Sequence, residues 1–203
     1  MAKRVYISAD YDEYSGDREV VDLLNKWGND NLHKVDFVDM AKVVSGSVAD
    51  DPDCRICDLK AEFNNQINAS SAVIFIVGDK TAYRCAGEAC ERKIGYDDNC
   101  YCTPYKENKG GKVKCKIDRC YDATLSKNFG PINRFSYLRH EFEQAKKTNK
   151  QIIILYNSLY DKKSWLPSYM NGYENNARHF WIKNYDGTIV GDYAYIKEVL
   201  GFA

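Results

Sequence analysis

Neither sign of charge predominates in this chain: 29 lysines and arginines stand against 29 aspartates and glutamates. A polyanion such as DNA or RNA, or an anionic membrane, finds no electrostatic footprint here, so neither is expected as a partner. Nor does any apolar run approach the roughly 20 residues of a transmembrane helix. The opening MAKRVYISAD has only VYISA between Arg4 and Asp10, too short for the apolar core of a secretory signal. The expected location is therefore cytoplasmic. Also missing are GxGxxG and GxxxxGK followed by Ser or Thr, which removes any motif for Rossmann-type dinucleotide or Walker-type phosphate binding.

One scarcity is local. Between Arg84 and Cys120 the only Leu, Ile, Val or Met residues are Ile94, Val113 and Ile117, and six of the eight cysteines fall there. So few aliphatic side chains bury too little surface to offset the entropy of ordering the segment. Residues 84–130 read as a Cys-rich insertion. The cysteines lie in pairs: Cys54 and Cys57, Cys85 and Cys90, Cys100 and Cys102, Cys115 and Cys120. With no secretory signal, a structural zinc held by Cys85, Cys90, Cys115 and Cys120 is one expectation; free thiols or disulfides are the alternatives. Redox catalysis by Cys54 and Cys57 is not expected, because no strand directly precedes them.

What remains is ample for one domain over residues 1–203, since 44% of the residues are hydrophobic. VYISA (5–9) reads as a buried strand closed by Asp10, Tyr11, Asp12 and Glu13. Asp17 is placed to cap a helix whose inner face is Val20, Val21, Leu24 and Trp27. VDFVD (35–39) is a second strand, followed by a loop. Asp51 and Pro52 form an N-cap/N1 pair opening a helix with Ile56, Leu59, Phe63 and Ile67 on one face. SAVIFIVG (71–78) is apolar at every strand position, which suits the centre of a parallel sheet. QIIILY (151–156) is another strand, HFWIK (179–183) a final one, and YAYIKEVLGF (193–202) a closing helix. Alternating strands and helices imply an α/β fold of flavodoxin-like type: a parallel sheet of about five strands with helices on both faces. A small-molecule site in such a fold lies off the carboxyl ends of the strands.

The stretch from Arg134 to Asn157 brings a helix to that edge. At 100° per residue Phe135, Leu138, Phe142 and Ala145 share a stripe, with Glu141 at the seam between core and solvent and Tyr137 one turn before it. By itself this describes many ordinary surface glutamates.

The ordered set RVYISADY, VDFVDM, LKAEFNNQINASSAVIFIVGDKT and YLRHE followed by EQAKKTNKQIIILYN resembles the TIR-like family of bacterial antiphage defence, in particular the signal-producing subunit of Thoeris systems. The likeness covers roughly residues 3–81 and 134–157. The insertion 84–130 stands where the family usually passes in a few residues from the third strand to its Glu helix; His140 stands in place of Tyr or Trp, and Tyr137 where Trp is common. The resemblance implies a TIR fold and cleavage of the nicotinamide–ribose bond of NAD, here a substrate rather than a cofactor, by hydrolysis, cyclisation or transfer of ADP-ribose. Glu141 would be catalytic, and Ser8, Ala9, Asp10, Asp39 and Tyr137 would line the substrate pocket. It also implies a separate effector protein reached by a diffusible ADP-ribose-derived messenger, a phage-derived trigger and self-association. The alternative is a catalytically silent TIR-like module that binds a nucleotide or assembles with other proteins.

Overall fold

In the computed structural model, residues 3–10, 15–29, 35–39, 55–83 and 136–202 are described, with side chains left out for 55–61. The most apolar segment forms the middle strand of the sheet. β3 (Ala72–Val77) is buried at every position. It pairs in parallel with β1 (Lys3–Ser8) on one side and β4 (Gln151–Tyr156) on the other. β2 (Val35–Asp39) lies outside β1 and β5 (Ala177–His179) outside β4, both parallel, giving the order β2-β1-β3-β4-β5. This is the flavodoxin-like strand order, and its switch point falls between β1 and β3.

Strand alternation sorts the core into two layers. Val5, Ile7, Ile74, Ile76, Ile153 and Leu155 pack under α1 (Asp17–Gly28). Tyr6, Val73, Phe75, Val77, Ile154 and Tyr156 face the other way, against Phe63 and Ile67 of α2 (Arg55–Ala69) and Phe142 and Ala145 of α3 (Tyr137–Lys147). The closing helix α4 (Tyr193–Val199) joins α1 through Ile196, so both faces of the sheet are covered. The expected inner faces of α1 and α2 are those observed at Val20, Val21, Leu24, Phe63 and Ile67. Phe135, the Asp51/Pro52 cap and the 84–130 insertion lie outside the described residues, as does every cysteine except Cys57, of which only the backbone is described.

The helix α3 has defined ends. Ser136 is extended, and its hydroxyl accepts from the Arg139 amide at 3.1 Å. At the other end Asn149 takes a left-handed φ of 51°, and the Lys150 amide reaches back to the Ala145 carbonyl at 2.9 Å. Ser136→Ala is expected to lower stability by about 1 kcal/mol, read as a shift in the denaturation midpoint with unchanged slope.

Two expectations change. HFWIK is not one strand: β5 ends at His179, and Trp181–Lys183 (β6) pairs instead with Ile189–Gly191 (β7) in an antiparallel hairpin. Phe180 causes the break, its fully buried ring lying 5.9 Å from that of Trp27 and 4.7 Å from that of Trp181. Asp17 does not cap α1 but is its first helical residue. Gly16 holds the cap position with φ +71° and offers no side-chain acceptor.

Candidate active site

Glu141 is not at the seam between core and solvent; it is completely buried. A helical wheel predicts one apolar face, but α3 is covered on more than one side. His140, also buried, bonds Asn64 of α2 at 2.9 Å, while Tyr169 and Tyr173 pack on Phe142 with ring centroids 5.9 and 5.2 Å away. Burying a carboxylate is costly unless donors meet it. Two do. The Tyr6 hydroxyl donates to Oε1 at 2.9 Å, and the Ser8 hydroxyl donates to Oε2. Both donors are themselves fully buried and, two residues apart on β1, share its α3-facing side. The result is an oriented carboxylate group beside the end of β1, next to the switch point. Shielded from water, its charge would act on a neighbouring cation far more strongly than it would in solvent.

The other expected site residues divide. Ser8 joins Glu141. Ala9 is buried in the α1-side core. Asp39 is nearly fully buried and accepts from Asn25 of α1, so it lies on the sheet face opposite Glu141. Tyr137 packs edge-to-face on Phe63, centroids 5.6 Å apart. Asp10 follows β1, and its backbone is tied down: the amide donates to Asp17 Oδ2 at 3.3 Å, and the carbonyl accepts from Ser15 Oγ at 2.7 Å.

That contact opens a second polar centre at the same edge. Asp17 is wholly buried and also accepts from Asn157 Nδ2 at 3.1 Å, at the end of β4; Asn157 in turn accepts from Trp181 Nε1 at 2.8 Å. Gly78, just past β3, makes room for it, since a Cβ there would sit 3.0 Å from Asp17 Oδ1. Asp17 thus joins the carboxyl ends of β1, β3 and β4. Burial pushes its carboxyl up to about 7, against the opposing effect of its hydrogen bonds, and the Asp10 and Asp79 carboxylates push the same way.

Tyr6 and Asp17 were both open to sequence reasoning in part. A tyrosine inside an apolar strand needs a partner for its hydroxyl, and alternation puts it on the Ser8 side. For Asp17 the helix-cap reading had a ready local explanation, which concealed the tertiary one. Among the described residues no group of three or more His, Cys, Asp or Glu side chains is arranged to hold a metal ion. The zinc expectation concerns cysteines outside those residues. Among the described residues, too, no helix is long and apolar enough to cross a membrane. In comparisons with known proteins, no family model and no curated protein matches this chain.

Proposed function

We propose that this chain is a TIR-like enzyme that cleaves the nicotinamide–ribose bond of NAD, with Glu141 as its catalytic carboxylate. The observation that carries the reading is the buried Glu141 carboxyl held by the Tyr6 and Ser8 hydroxyls at the carboxyl end of β1. The chemistry needs little else. The glycosidic electron pair leaves with the pyridinium nitrogen, which becomes neutral nicotinamide, so no general acid is required. The ribose carbon left behind carries oxocarbenium character, which a fixed, dry carboxylate stabilises. Water attacking that carbon gives ADP-ribose; attack by a nitrogen of the same molecule's adenine gives a cyclic product.

In this reading Glu141 also holds the ribose hydroxyls, and Tyr6 and Ser8 keep it from turning away. The modified ADP-ribose would be a messenger for a separate effector in cytoplasmic antiphage defence, with a phage-derived trigger and self-association as further elements. The test is incubation with NAD, with and without lysate of phage-infected cells, followed by chromatography of the products. Nicotinamide release with a stoichiometric ADP-ribose-derived product is expected; intact NAD in both arms sinks the enzyme reading.

The same burial favours a second reading, in which Glu141 clasps α3 to β1 in a catalytically silent nucleotide-binding or assembly module. It predicts NAD left intact, and an unfolding midpoint that depends on Glu141 while no turnover does.

A further inference from the structure

Beside Glu141 lies a polar atom that finds no hydrogen-bond partner among the described residues. Tyr169 sits in the short helical turn Ser168–Met170, its ring against Phe142 and the Arg139 guanidinium 5.7 Å from its centroid. Its hydroxyl is buried and, among the described residues, makes no hydrogen bond. Ser136 Oγ is near enough to pull the phenol's pKa down against burial, but the two hydroxyls do not meet in hydrogen-bonding geometry, and Ser136 Oγ already accepts from the Arg139 amide. An unpaired buried hydroxyl costs about 1–3 kcal/mol, so a native protein that keeps one calls for an explanation.

We propose that Tyr169 is a ligand contact of the Glu141 site, its hydroxyl donating to a ribose hydroxyl of the bound nucleotide. The proposal rests on the NAD-cleaving reading and adds a residue and a ligand group to it. Burial first, and then the Glu141 charge, hold the phenol well above its ordinary pKa, so it stays a donor across the neutral range. A phosphate oxygen is a poor match, because it would bring negative charge toward Glu141. A ribose hydroxyl fits both neighbours, since it donates to the carboxylate and accepts from the phenol. Tyr169 therefore discriminates for the sugar, and Glu141 acts on its anomeric carbon.

Tyr169→Phe removes one oxygen atom and nothing else. Ligand contact and structural role predict opposite outcomes for it. If Tyr169 serves the ligand, the variant melts at the same temperature as wild type or higher, because an unsatisfied hydroxyl has gone. Its KM for NAD rises about tenfold, with kcat changed much less. The difference disappears with NAD analogues lacking the 2′- or 3′-hydroxyl of the nicotinamide ribose. An unchanged KM in an active protein overturns the Tyr169 proposal and leaves the NAD reading standing. So does a lowered melting temperature with KM intact. If the wild-type protein neither binds nor cleaves NAD, both fall together.

Discussion

Glu141→Gln is expected to cut nicotinamide release at least 100- to 1,000-fold while leaving the unfolding midpoint close to that of the wild type. The two halves of this expectation have separate causes. Gln keeps the length and shape of Glu, and hydroxyls both donate and accept. Tyr6 and Ser8, which now donate to Oε1 and Oε2, can therefore satisfy an amide if one of them turns to accept from its NH2 group. What Gln lacks is the negative charge, and only the charge answers the developing oxocarbenium ion. Glu141→Ala behaves differently. It leaves the Tyr6 and Ser8 hydroxyls, both fully buried, facing a void, and costs about 2–5 kcal/mol of stability. Comparing the variants by chromatography and by chemical denaturation thus separates chemistry from architecture. Turnover that survives in Glu141→Gln removes Glu141 from the mechanism; no turnover even in the wild type, with stability lost in Glu141→Ala, favours the clasp.

The parts of this molecule legible in its sequence are those determined by local pattern. An all-apolar run flanked by Ser and Gly can only be an inner strand, and Ala72–Val77 is one. Residues Val20, Val21 and Leu24 recur at helical spacing and form the inner face of α1. Glu141 was visible as a glutamate beside an apolar stripe, but not as a buried one. A wheel has no term for α2, or for Tyr169 and Tyr173, which close over the flanks of α3 from distant parts of the chain. The Tyr6–Glu141 bond spans 135 positions and Asn157–Asp17 spans 140, so neither leaves a trace in any window of sequence. Phe180 misled for a related reason. A β-compatible run from 179 to 183 is broken because one ring finds a better place under Trp27 than on a straight strand. Asp39 and Ala9 adjoin the right strand ends but sit on the α1 face, where local pattern gives no warning.

The stability of the wild-type protein, measured relative to an Asp17→Asn variant, is expected to fall by up to about 4 kcal/mol as pH rises from about 4 to about 7. The sign follows from proton uptake. Asp17 binds its proton with a value near 7 in the folded chain, against an ordinary value of 3.8 when exposed. Below pH 4 both folded and unfolded chains are protonated, and the group is neutral toward folding. Between the two values the unfolded chain has released the proton and the folded chain still holds it, so each further unit of pH favours unfolding. Above 7 both are ionised and the loss is complete. Asp161 works in the opposite direction, since its hydrogen bond to His179 holds its carboxyl below the usual range, so the stability it contributes is lost on acidification. That contribution is common to both proteins and cancels in the difference. Asn at position 17 carries a fixed cost of its own, because its NH2 group must face either the Asp10 amide or the Asn157 side chain, both donors. This cost does not vary with pH. The informative quantity is therefore the slope between the two stability curves rather than their offset. Urea unfolding of both proteins at intervals from pH 4 to 8 measures it, and parallel curves would show that the carboxyl joining the ends of β1, β3 and β4 does not titrate near neutrality.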